Sequence, residues 1–151
     1  MKDADLIVYG PDRKLQLVVE VKNGLGATPE WARDVRGLLS EYDVVPAAPF
    51  FLLAMTNSFY LWTPQTSGDA QVLPEYAIDA RVALAPYIRS LKRPLEEISK
   101  PGYELLVSSW LQDLMYADLK RDDLGAELRD LVDSGLYAAI RGGSMETEVV
   151  V

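Results

Sequence analysis

The stretch Asp5–Lys22, DLIVYGPDRKLQLVVEVK, decides the fold because it holds two apolar runs separated by a turn. Both runs are rich in β-branched residues, and the five residues between them, Gly10-Pro11-Asp12-Arg13-Lys14, are mostly turn formers. The pattern predicts an antiparallel β-hairpin. If the turn is centred between Asp12 and Arg13, the numbers of paired residues sum to twenty-five, and Asp5 lies opposite Glu20.

The pair formed by Asp5 and Glu20 needs a physical explanation. Directly opposed residues have Cβ atoms about 4.5–5.5 Å apart, and like charges there are destabilising, so a shared divalent cation is the simplest explanation. Lys22 lies on the same strand face as Glu20 because side chains two apart point the same way. Two oxygen ligands and one ammonium are the equipment of metal-assisted phosphodiester hydrolysis. The pattern is also typical of an amphipathic strand whose charges simply lie in water.

Composition excludes several classes of site. The chain has 151 residues, no Cys and no His, so disulfides, Ser-His-Asp triads and zinc sites of the His/Cys type are excluded. A carboxylate site suits Mg²⁺, Mn²⁺ or Ca²⁺. The length predicts a single domain, residues 1–151, and no apolar run approaches the ~18–20 residues of a membrane span. The acidic start lacks the features of a signal peptide, so we expect a cytoplasmic protein that does not bind membranes.

The net charge of −8 is unusual for a protein that binds nucleic acid. Residues 1–64 carry six basic and eight acidic side chains, whereas residues 65–151 carry nine and fifteen. The half with the candidate site is therefore the less acidic one, and a bound divalent cation would offset part of its charge.

A helix is predicted after the hairpin. Thr28-Pro29-Glu30 supplies an N-cap, a proline at the first helical position and an acid in the first turn. The helix is predicted to run to about Tyr42, with Trp31 and Tyr42 in the core. Arg33 and Arg36 share its other side; they either form a solvated face or, as the nearest candidates, contact nucleic-acid phosphates.

The rest of the chain predicts two more strands and then mostly helices. Residues 50–56 form a continuous apolar run typical of a strand buried on both faces, and residues 59–63 return beside it. Residues 75–142 are predicted to form a mainly helical extension, and residues 148–151 either a last strand or a frayed end. We expect Trp110 to lie in the core, the alternative being an exposed stripe that forms a homodimer interface.

The segment LVVEVKNGLGATPEWARDVRGLL, followed by FFLLAMTNSFYLW, resembles uncharacterised bacterial members of the PD-(D/E)xK nuclease-like superfamily. The resemblance covers roughly residues 3–63. It implies an α/β (mixed α+β) fold: a restriction-endonuclease-like core with a mixed central sheet flanked by helices, plus the helical carboxy-terminal half.

The resemblance also implies a site. Asp5 matches the motif aspartate, Glu20 the second acid and Lys22 the motif lysine, while the carbonyl of Val21 is the usual additional metal ligand. The implied cofactor is Mg²⁺ or Mn²⁺, and the implied activity is cleavage of DNA or RNA in defence or repair. Ala4 stands where the motif has proline.

One departure from the family pattern leaves alternatives open. The family core normally begins with a helix, often bearing a further Glu, but only four residues precede Asp5. Either the chain is a truncated product, or an element from the carboxy-terminal half or a second subunit replaces that helix. The alternative functions are a catalytically silent nuclease-fold module that binds nucleic acid or a protein, and a helical interaction module in which the motif is a coincidence.

Overall fold

A six-stranded mixed sheet forms the centre of the protein. The computed structural model describes residues 3–22, 28–41, 46–66 and 71–150. The strands are β1 (Asp3–Tyr9), β2 (Leu15–Val21), β3 (Phe50–Ala54), β4 (Ser58–Trp62), β5 (Tyr76–Asp79) and β6 (Ser144–Val150). Their order in the sheet is β5-β4-β3-β2-β1-β6; β2 and β3 are parallel, and every other neighbouring pair is antiparallel.

The β1–β2 hairpin has the register predicted from the sequence over most of its length. Leu6 pairs with Val19 and Val8 with Leu17, so partner numbers sum to twenty-five, and the register shifts only next to the turn. The amide of Gly10 donates to the carbonyl of Lys14 at 2.9 Å to close this turn. Continuing the register by one residue beyond Leu6 places Asp5 opposite Glu20.

Helix α1 (Pro29–Glu41) connects the parallel strands β2 and β3 and covers one face of the sheet. The hydroxyl of Thr28 accepts a hydrogen bond from the amide of Trp31 at 3.1 Å, so the predicted N-cap is confirmed. Ala32 packs in a cluster with Val18 and Trp62 of the sheet. The prediction that Trp31 lies in the core is wrong, because this side chain is 41% exposed. Tyr42 lies outside the described residues.

Five helices follow β5 and cover the other face. They are α2 (Ala80–Ala83), α3 (Ala85–Ile88), α4 (Lys100–Tyr116), α5 (Ala126–Asp133) and α6 (Leu136–Ile140), with 3₁₀ turns at Leu95–Glu97 and Arg121–Asp123. The longest, α4, buries Tyr103, Val107 and Trp110 against the larger core cluster. The ring of Trp110 lies 4.9 Å from that of Phe59, and its side chain is only 6% exposed. Trp110 is therefore a core residue, as expected.

The carboxy-terminal half adds strands as well as helices. β5, within the segment predicted to be mainly helical, pairs with β4, and β6 pairs with β1 at the opposite edge. Both halves of the chain thus contribute to one sheet. The mixed α+β class is confirmed, whereas the restriction-endonuclease-like core stays a prediction.

Across the described ranges, none of the helices is both long enough and apolar enough to span a bilayer.

Candidate functional site

The candidate site lies at the end of the hairpin away from its turn. There the Oδ2 of Asp5 accepts a hydrogen bond of 2.8 Å from the backbone amide of Val21. This contact holds the Asp5 carboxylate against the end of β2, beside Glu20. The side chain of Asp5 is largely buried, with 17% of its surface exposed.

Glu20 is a buried carboxyl group. It is 7% exposed, and within the described part of the chain its Oε1 has no hydrogen-bond partner although it is out of contact with solvent. Burial first, and then the charge and hydrogen bond of Asp5, raise the pKa of Glu20 from its ordinary 4.5 to about 8, against the opposing charges of Lys22 and Lys100. The alternative that Glu20 is a solvated charge on an amphipathic strand is therefore wrong.

Lys22 follows directly on β2 and is half-buried. Its backbone amide donates to the carbonyl of Ala54 at 3.0 Å, which continues the pairing with β3 beyond the last residue of β2. Its ammonium lowers the pKa of Glu20, so its charge acts on that carboxyl group. Asp5, Glu20 and Lys22 are thus brought together as the sequence predicted.

Two residues of the site were missed by the sequence reasoning. The ammonium of Lys100, at the first position of α4, lies 3.3 Å from Asp5 Oδ1 and 3.6 Å from Glu104 Oε1. Lys100 is 95 residues from Asp5, a separation that no local pattern covers. The available signals were an N-cap at Ser99 and a Lys–Glu pair four residues apart.

An open cleft lies beside Glu104. Its volume is about 150 Å³, and Leu6, Pro101, Glu104, Leu105, Ser108 and Thr147 line it. Leu105 is 66% exposed, so the outer wall of the cleft is an apolar side chain in water.

The two arginines proposed to contact phosphates have different environments. Arg36 is 5% exposed, and its guanidinium lies over the rings of Trp62 and Phe51, at 5.2 and 5.4 Å from their centroids. It packs under α1 and is not presented to a phosphate backbone, which corrects the expectation for this residue. Arg33 is partly exposed and lies 3.4 Å from Asp34 Oδ1, so its role in binding phosphate stays a prediction.

A divalent cation such as Mg²⁺ requires oxygen ligands. In the described part of the chain, no three acidic, His or Cys side chains converge into a ready metal site. The site offers two carboxylates and the carbonyl of Val21, and Mg²⁺ commonly binds one or two carboxylates while keeping several waters. The buried, unpartnered Oε1 of Glu20 is an open acceptor for a cation. The residues therefore fit Mg²⁺ or Mn²⁺.

Comparison with known proteins adds no relatives: the chain matches no family model, no curated protein and no solved structure. The resemblance to the PD-(D/E)xK superfamily therefore stays a prediction, made from the residues of the hairpin and the order of elements around it.

Proposed function

We propose that this protein is a Mg²⁺- or Mn²⁺-dependent nuclease that hydrolyses phosphodiester bonds of DNA or RNA. The observation that carries the proposal is the juxtaposition of Asp5 and Glu20, with an unpartnered buried oxygen on Glu20. Two adjacent buried carboxyl groups are costly unless a proton or a cation separates their charges. A fold that keeps them together is therefore suited to binding a cation.

Each residue of the site has a distinct role in this proposal. Asp5, Glu20 and the carbonyl of Val21 would hold the ion, which when bound polarises a phosphate oxygen and lowers the pKa of a bound water. The amide of Val21 fixes the orientation of Asp5. Lys22 would orient the attacking water and stabilise negative charge on the phosphate.

Helix α4 supports the resemblance where the sequence departed from it. The family core begins with a helix that often bears a Glu, and here α4 from the carboxy-terminal half brings Lys100 and Glu104 to Asp5. We infer that α4 contributes its Glu104 to the site, as the Glu-bearing helix of the family core does. The adjoining cleft, with Glu104 in its wall, is the region where we expect the substrate to approach.

One observation favours a second function. The ammonium of Lys100 already contacts Asp5 and neutralises part of the charge that would attract a metal ion. A protein with this contact fixed in place would be a catalytically silent nuclease-fold module that binds nucleic acid or a partner protein. The acidic net charge of −8 is also consistent with that alternative.

Cleavage assays distinguish the two functions. Labelled single-stranded DNA, duplex DNA and RNA are incubated with the protein in Mg²⁺, in Mn²⁺ and in EDTA. We expect metal-dependent cleavage that falls by about 100-fold or more in Asp5→Asn and Glu20→Gln, because loss of a residue that merely supports a metal ligand already costs about 10–100-fold.

Glu146→Gln is the matched control, since it removes an exposed acid from β6 of the same sheet. Cleavage that survives in both Asp5→Asn and Glu20→Gln would refute the assignment of the site. Binding of nucleic acid without cleavage in either metal would favour the silent module.

A further inference from the structure

The position of Lys100 is electrostatically unusual. It is the first residue of the 17-residue helix α4, next to the N-cap Ser99. The N-terminus of a helix carries partial positive charge, which disfavours a cation there. A lysine in this place therefore requires compensation, and the carboxylates of Asp5 and Glu104 supply it at 3.3 and 3.6 Å.

We propose that Lys100 is a tethered counter-cation of the Asp5–Glu20 pair, which occupies Asp5 in the ion-free protein and competes with a divalent cation for it. The inference rests on the proposed function, because it takes the carboxylate pair as the cation site. Lys100 is a positioning residue in this account. It acts by setting the affinity and the arrangement of the carboxylates.

Charge supports this role. Asp5 and Glu20 are neighbouring acids, and the ammonium of Lys100 lies 3.3 Å from Asp5 Oδ1, while Lys22 is two residues from Glu20. Lys22 directly follows β2, whereas Lys100 comes from the helical layer. Without Lys100, the pair would attract a free cation more strongly, because one of the two positive charges beside it would be gone.

The structure also lets Lys100 leave Asp5 without moving the helix. One turn further along α4, the fully buried Tyr103 donates its hydroxyl proton to the carbonyl of Met55 and anchors the helix to the sheet. The side chain of Lys100, in contrast, is 42% exposed. Its flexible stem allows the ammonium to turn toward solvent while the backbone stays in place.

The test is a calorimetric titration of Mn²⁺ into the wild-type protein and the variants Lys100→Met, Lys100→Arg and Lys92→Met. We expect the Kd of Lys100→Met to be about tenfold lower, since removal of a partly screened charge a few ångströms from a divalent ion is worth at least that factor. Lys100→Arg keeps the charge and should bind as the wild type does. Lys92 is exposed, and Lys92→Met is the control for loss of a positive charge elsewhere.

A second measurement needs no metal. In EDTA, Lys100→Met should lower the folding equilibrium constant by about two- to fivefold in the wild-type background and by less in Asp5→Asn, where only the contact with Glu104 remains. An equal effect in both backgrounds would overturn the counter-cation role even if Lys100→Met binds ions normally.

The outcomes separate this inference from the proposed function. An unchanged or weaker Mn²⁺ affinity in Lys100→Met would overturn the competition, as would absence of binding in both wild type and variant. Tighter binding in Lys100→Met by a protein that cuts no nucleic acid would support the counter-cation and refute the nuclease.

Discussion

Replacement of Glu20 by Gln tests the carboxylate pair through stability alone. The folded protein holds a proton on Glu20 up to about pH 8, whereas the unfolded chain releases it near its ordinary 4.5. Between these values the folded state binds more protons, so the free energy of unfolding falls as pH rises. Below pH 4.5 both states are protonated, and above pH 8 neither is, so the dependence on this group ends at both limits.

The magnitude follows from the size of the shift. One pKa unit corresponds to about 1.4 kcal/mol, so a shift from 4.5 to about 8 is worth roughly 5 kcal/mol if the structure does not relax. Because water enters the site as the charge on Glu20 develops, we expect about 2–5 kcal/mol of stability to be lost across the window. Glu20→Gln keeps the shape of the side chain without the titration. Its unfolding free energy should exceed that of the wild type at pH 8.5 and differ little at pH 5.

Urea unfolding in EDTA, followed by tryptophan fluorescence at half-unit steps from pH 5 to 8.5, measures this difference. Glu146→Gln, on an exposed position of β6, is expected to retain the wild-type slope. A wild-type curve that is flat over the window, or a Glu20→Gln curve that falls as steeply, would refute the claim that Glu20 is buried beside a second acid.

Three further substitutions, each paired with a control variant, test the fold that positions the site. Gly143→Ala places a Cβ 1.8 Å from the backbone carbonyl oxygen of Tyr9 in β1, so we expect urea unfolding to show a loss of stability of about 3 kcal/mol or more. Gly125→Ala is the control: its Cβ would lie 3.7 Å from the nearest atom, so the stability should hardly change. Thr28→Ala should cost about 1 kcal/mol by removing the N-cap of α1, and Thr28→Ser should restore it. Arg36→Lys should lower the stability by about 1–2 kcal/mol, because an ammonium cannot stack on two rings as a guanidinium does. Arg33→Lys should change the stability little, and equal effects of the two variants would contradict the buried position of Arg36.

The hairpin and its carboxylate pair could be predicted because the information is local. Two runs rich in β-branched residues and a compact turn define the register, and Asp5 and Glu20 are the next residues beyond its last pair, Leu6 with Val19. The N-cap of α1 is equally local, since Thr28 lies three residues from the amide that it accepts from.

The remaining features depend on contacts distant in sequence. β5 has four residues, too few for a clear alternating pattern, and becomes a strand by pairing with β4. Lys100 reaches Asp5 only because α4 packs on the face of the sheet and brings its first residue to β1. Arg36 was expected on a solvated face, but its guanidinium finds two aromatic rings that only the folded sheet brings under α1.

The central claim is that Asp5 and Glu20 together bind a divalent cation. Calorimetric titration of Mn²⁺ and Mg²⁺ into the wild-type protein, Asp5→Asn and Glu20→Gln at pH 8 tests it most directly. We expect saturable binding of the metal ion to the wild type and loss of that binding in both variants. Absence of binding to the wild type, or binding that persists in both variants, would contradict it.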